Sequence, residues 1–198
     1  MIRLEIYSEE IAIKDMCGRF VISEDNVLGI SYRRNFNIAP SSNIPVKTSK
    51  DSLLMKWSYG PSWKPDMALI NCRSETIHEK PSFKTAERCL IPFNGWYEWQ
   101  RQRSGNQKTP YFFHQASAPY FAGLYNTSGC LILTRKSIDT IEHIHHRQPV
   151  LLFESDAILF LKGEDIFHSP ANQDILFHRV SSSVNNPRNN LPSLIEQS

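Results

Sequence analysis

Short apolar stretches bounded by turn residues dominate the chain. Segments 19–23, 52–57, 88–92, 95–100, 111–114, 120–124, 130–134 and 149–153 combine β-branched or aromatic residues with Gly, Pro, Asn or Ser at their ends, which predicts strands. The polar run 101–109 (RQRSGNQKT) between two of them predicts a hairpin loop. Helical periodicity is weaker and points to 24–31, 137–144, 154–162 and 172–177. Ser23 offers an N-cap for the first of these, with Glu24 and Asp25 in its opening turn. After Val184 the chain is polar and proline-containing, an irregular end. The expected architecture is α+β: a single domain over 16–198 with a β-rich, barrel-like core and peripheral helices, preceded by an extension at 1–15.

Composition narrows the function classes. With 198 residues, 40% hydrophobic and 21% charged, the chain fits one globular domain with a real core. A net charge of +2 is too small a global field to hold DNA, so a nucleic-acid partner needs a local patch. No apolar run approaches the roughly 20 residues of a membrane span, and residues 1–15 carry acids without an apolar h-region, which predicts no membrane anchor, signal or transit peptide. Cys17, Cys72, Cys89 and Cys130 are scattered without a CxxC pair, which favours neither a zinc site nor a disulfide framework. The reading is a cytoplasmic monomer in a reducing compartment.

Candidate chemistry concentrates in five segments: MCGRF (16–20), NIAP (37–40), NCRSET (71–76), NGWYEW (94–99) and IHHRQPV (144–150). Cys17 is either a small buried hydrophobe or a nucleophile, with Gly18 opening the backbone beside it and Arg19 supplying a cation for a phosphate or a thiolate. Glu98 shares a strand face with Trp96. It is either solvated or a carboxylate in an aromatic pocket, raised in pKa as a general acid needs. In an extended chain Asn71, Arg73 and Glu75 point the same way, forming either an exposed polar face or an orienting amide beside a phosphate-gripping arginine. His143, His145 and His146 lack the Cys, Asp or Glu spacing of a metal site, so one catalytic histidine with structural neighbours is the reading, and Arg147 is a second candidate clamp. Trp57 and Trp63 are either core residues or a platform on which unpaired bases stack.

In order along the chain, Met-Cys-Gly-Arg-Phe, Asn-x-Ala-Pro, Trp-x-x-x-Pro-x-Trp, Asn-x-Arg-x-Glu-Thr, Arg-Cys-Leu-Ile-Pro, Gly-Trp-Tyr-Glu-Trp, Phe-Ala-Gly-Leu and Ile-His-x-Arg-x-Pro-Val resemble the SOS response-associated peptidase family, whose animal members are described as abasic-site shields. The resemblance spans about 16–185; Ser58-Tyr59 after Trp57, Cys72 and a short link between Leu124 and Cys130 depart from the family pattern. It implies a positively charged groove, catalytic Cys17, Asn71, Glu98 and His145, and DNA-binding Arg19, Asn37, Trp57, Trp63, Arg73 and Arg147. The implied partner is single-stranded DNA containing abasic sites.

An abasic site exposes an aldehyde when its sugar opens. An N-terminal cysteine carries an amine and a thiol on adjacent carbons, so it can form an imine and then close a thiazolidine on that aldehyde, with no metal or organic cofactor. An internal cysteine cannot, because its nitrogen is an amide. Cys17 therefore needs the residues ahead of it to be absent or removed. Two rivals stand beside this reading: a cysteine peptidase using Cys17, His145 and Asn71, including one that cuts itself, and a non-covalent binder of single-stranded or modified DNA.

Overall fold

The computed structural model describes residues 18–101 and 108–198. Within them lie two mainly antiparallel sheets. The first, in the order β13-β8-β7-β1-β2, is built from β1 (Phe20–Ile22), β2 (Asn35–Ile38), β7 (Gly95–Arg101), β8 (Lys108–His114) and β13 (Leu176–Arg179). The second runs β11-β10-β9-β6-β3-β4, where β3 is Asn43–Lys47, β4 Ser52–Lys56, β6 Glu87–Pro92, β9 Tyr120–Asn126, β10 Gly129–Lys136 and β11 Arg147–Pro149. Two short strands join it at the side: β5 (Asn71–Arg73) lies parallel to β10, and β12 (Leu151–Leu152) pairs with β9. A single bridge from Trp57 to Cys130 curls the end of β4 back toward β10. The sheets pack as layers around a β-rich core without closing into a barrel, and the α+β, single-domain expectation holds.

Three apolar clusters follow from strand alternation. Between the sheets, Phe20, Ile22, Ile38, Trp96 and Phe113 of the first meet Ile44, Val46, Ile91, Phe121 and Ile132 of the second. The outer face of the second sheet, with Leu90, Leu124, Leu131 and Leu133, is covered by Ala157 and Phe160 of α2 (Glu154–Leu161). The outer face of the first, with Val21, Tyr97 and Phe112, is covered by Val184 and Leu194. The polar C-terminal segment is thus a packed cover: Leu194 is 2% exposed, and the Phe36 N–H donates to Asn190 Oδ1 at 2.7 Å.

The expected strands at 19–23, 52–57, 88–92, 95–100, 111–114, 120–124 and 130–134 are present with ends shifted by a few residues. Segment 149–153 divides at Val150, because β11 pairs with β10 and β12 with β9. The helix at 154–162 is α2, and 137–144 shrinks to the single turn α1 (Asp139–Glu142). Two helix expectations are overturned. Asn26 and Leu28 take positive φ (58° and 57°), so 24–31 holds only a 3-10 turn at Val27–Gly29. Asp174 at φ 51° interrupts 172–177, whose end joins β13 against β8. Most of the expected 101–109 loop lies outside the described residues, but its flanks pair as a hairpin, with Arg101 opposite Lys108.

Candidate active site

Strand β7 turns alternate residues to opposite sides. Tyr97 belongs to the outer cluster, while Trp96 stacks on Phe113 in the inter-sheet core with ring centroids 5.3 Å apart. Glu98 therefore faces the inter-sheet side, where it is 4% exposed. Strand β1 runs antiparallel to β7 with Phe20 opposite Trp96, and the Tyr97 N–H donates to Arg19 O at 3.0 Å. The same register sets Gly18 across from Glu98. Cys17 and the extension lie outside the described residues.

His145 reaches Glu98 from the connection between α1 and β11. Its Nδ1 lies 3.8 Å from Glu98 Oε2. The same nitrogen is 2.8 Å from Arg147 O and 3.2 Å from the Arg147 N–H, so it donates to the carbonyl in one tautomer and accepts from the amide in the other. The connection is tied down at several points. The His145 N–H donates to Ile141 O, the Ser137 N–H to His146 O, and Gln100 Nε2 to His143 O at 3.1 Å. Gln148, wholly buried, accepts the Ile138 N–H at 2.9 Å. Sequence reading missed Gln100 and Gln148; the signal for Gln100 was its place on the Trp96–Glu98 face.

Asn71 and Arg73 approach from the other sheet. Cys72 between them joins the outer cluster, and Asn71 pairs with Ile132, a residue of the inter-sheet core. Both side chains therefore point to the side that holds Glu98; Asn71 is buried and Arg73 exposed. The alternation stops there, because Ser74–Thr76 form a 3-10 turn, so Glu75 leaves this face.

Other expected DNA-binding groups sit in structural positions. Trp57 is 0% exposed, its ring centroid 5.0 Å from that of Phe20 and its Nε1 donating to Ile70 O at 2.9 Å. The core reading of Trp57 thus describes its place, and a stacking platform there is overturned by its burial. Trp63 is 57% exposed. The start of its loop is braced at Gly60, where an added Cβ would sit 2.2 Å from Pro65 O and where Ser128 and Asn126 bond the backbone. Arg19 Nη1 donates to Asn37 Oδ1 at 2.8 Å and to Val184 O, and Asn37 Nδ2 lies within hydrogen-bond distance of the carbonyls of 184, 186 and 189. Both anchor the C-terminal cover. Arg147 is buried and grips Glu75 with two bonds. Arg73 and Trp63 are the two of these groups that lie exposed.

Burial decides which thiols can react. It pushes Cys72 and Cys130 up to about 12 and Cys89 well above its ordinary value, so all three remain protonated, inert thiols. Among the described residues no group of three or more His, Cys, Asp or Glu is arranged to hold a metal ion. A groove of about 920 Å³ around Trp99, Lys108 and Arg179 opens on the outer face of β7, opposite Glu98.

The protein is thus a two-sheet α+β domain with a buried carboxylate beside an imidazole at the start of its first strand. A protein of Bacteroides thetaiotaomicron with a crystal structure shares the fold, at a TM-score of 0.75 and 20% identity, over 92% of this chain and all of the other. The sequence profile of the SOS response associated peptidase (SRAP) family matches residues 10–187, and the chain belongs to that family. The match opens ahead of Met16. The abasic site processing protein YoqW of Bacillus subtilis (strain 168) is 32% identical, over 91% of this chain and 99% of its own. The abasic site processing protein HMCES of Pongo abelii is 29% identical, over 83% of this chain and 65% of its own. Among the described residues no helix is long and apolar enough to cross a membrane.

Proposed function

We propose that this protein captures abasic sites in single-stranded DNA as a covalent thiazolidine at Cys17, shielding the lesion. The observation that carries the reading is the Glu98–His145 pair, 3.8 Å apart with Glu98 buried and His145 half-buried, beside the first described residues of β1. Cys17 precedes Gly18 directly, and the other cysteines are held protonated by burial. The names of the relatives support the substrate: abasic site processing proteins.

The chemistry balances without a cofactor. The Cys17 amine adds to the C1′ aldehyde and water leaves, giving an imine. The thiol sulfur then bonds to the same carbon while the thiol proton ends on nitrogen, closing the five-membered ring. An α-amino group titrates near pH 8, so a useful fraction is neutral at physiological pH. Glu98 carries an amine proton to the departing hydroxyl, which leaves as water, and then carries the thiol proton to nitrogen as the ring closes. His145 protonates the ring oxygen as the sugar opens. Asn71 orients the amine or the sugar by hydrogen bonds, Arg73 grips a phosphate, and Trp63 stacks on a base next to the lesion.

The test is a heat-stable adduct on a denaturing gel with a single-stranded abasic oligonucleotide. Cys17→Ala is expected to remove it; a full-yield, heat-stable adduct from that variant overturns the thiazolidine. A second reading, favoured by the family's description as a peptidase and by the residues ahead of Cys17, is self-cleavage that frees the Cys17 amine.

A further inference from the structure

Gln100 lies two residues beyond Glu98 on the same face of β7 and ties that strand to the segment carrying His145. Its Nε2 donates to the carbonyl of His143, at the end of α1, at 3.1 Å. Its Oε1 accepts from the Tyr111 hydroxyl at 3.4 Å. The two bonds demand the same orientation of the amide, nitrogen toward α1 and oxygen toward Tyr111, so neither competes with the other. Tyr111 is itself the cross-strand partner of Glu98. One side chain thus joins the strand bearing the carboxylate, the tyrosine opposite it, and the turn two residues before the imidazole. The His145 backbone hangs from the same turn through Ile141 O at 3.2 Å.

We propose that Gln100 is a positioning residue that sets the separation of His145 from Glu98, an inference that rests on the proton-transfer reading of that pair. The hydrogen bonds of the Gln100 side chain go to His143 and Tyr111 and to neither reacting group. Its effect passes through the α1 end: without the amide, the 143–146 connection loses one of its ties to β7, and the imidazole shifts away from the carboxylate. Proton transfer falls steeply with such displacements, so a shift on the order of 1 Å matters to rate while leaving DNA contacts intact.

The variants are Gln100→Met, which keeps length and removes both bonds, and Gln100→Lys, which restores a donor toward the His143 carbonyl. Single-turnover crosslinking to an abasic oligonucleotide gives the rate, and binding of a tetrahydrofuran-containing strand, which has no aldehyde, gives the affinity. Q100M is expected to slow crosslinking about tenfold with affinity unchanged, and Q100K to recover most of the rate. In a His145→Ala background, Q100M is expected to have no further effect, because the group it positions is gone. A loss that persists undiminished beside H145A, no rate loss in Q100M, or no recovery in Q100K each overturns the proposal. Glu98→Gln separates the two levels. A wild-type rate in E98Q sinks the pair itself, whereas a slow E98Q with an unimpaired Q100M sinks only the role of Gln100.

Discussion

Glu75 and Arg147 stand 72 positions apart in the chain and meet in a two-pronged ion pair, with Nη1 and Nη2 of the arginine 2.7 and 2.8 Å from the two carboxylate oxygens. The same guanidinium donates to Thr134 O at 2.7 Å, so the pair locks β11 and the turn after β5 to β10. Arg147 is thereby committed to the protein.

Stability is therefore expected to fall at low pH. Partial burial alone would raise the Glu75 carboxyl, but the bonds and charge of Arg147, together with the backbone N–H groups of Glu75 and Lys136, outweigh it and hold the group at about 2, below its ordinary 4.5. A depressed folded value means the pair contributes fully above about 4.5 and is lost as pH falls from there toward 2. Urea midpoints across this window test it: the wild type should lose stability more steeply than Glu75→Gln, and equal slopes would refute the coupling.

Arg147 and Arg73 should separate when DNA binding is followed against salt. Arg73→Ala is expected to reduce the slope of log affinity against log salt by about 1, the signature of one lost phosphate contact. Arg147→Ala should leave the slope alone and cost about 2 kcal/mol of stability through its severed bonds. The reverse pattern would return Arg147 to the DNA surface.

Glu98→Gln and His145→Ala are each expected to slow crosslinking by about 10² to 10⁴-fold, the usual worth of a general acid or base, with non-covalent binding retained. Rapid-quench gels measure the rate and fluorescence anisotropy the affinity. If affinity collapses along with rate in both variants, the two residues hold DNA and do not move protons.

The tryptophans should divide cleanly. Trp57→Ala removes a wholly buried ring and is expected to cost about 3–5 kcal/mol of folding stability. Trp63→Ala should leave Tm unchanged and weaken single-strand binding by about 1–3 kcal/mol, the value of one stacked base. Unchanged single-strand affinity in the Trp63 variant would remove the stacking role.

Every covalent expectation depends on the amine of Cys17. A chain begun at Met16 is expected to lose that methionine and to crosslink. A chain begun at Met1 should crosslink only in the proportion that intact mass shows residues 1–16 removed. Full crosslinking by an uncut Met1 form would end the amine-plus-thiol mechanism.

The order of motifs along the chain, through the family resemblance, named Glu98 and His145 as candidates. Local pattern by itself determined most of the strands and α2, because period-two alternation is a property of neighbours in the chain. It passed over β2, and over β3, where Pro45 argues locally against a strand although its neighbours pair with β4 and β6. It also made 172–177 a helix, since only the ladder to β8 draws Leu176–Arg179 into a strand. The roles of the polar residues were decided by the tertiary structure alone. Arg19 and Asn37 find the 184–189 backbone, Arg147 finds Glu75, and Gln100 finds His143, partners 43 to 165 positions away. A cation or an amide in the sequence carries the capacity to bind. Whether that capacity is turned to a ligand or consumed within the fold depends on which distant atoms packing brings within about 3 Å, the reach of a hydrogen bond. Trp57 and Trp63 make the same point for apolar groups: six positions apart, one is sealed in the core and the other left on the surface by the curl of a sheet that neither residue specifies.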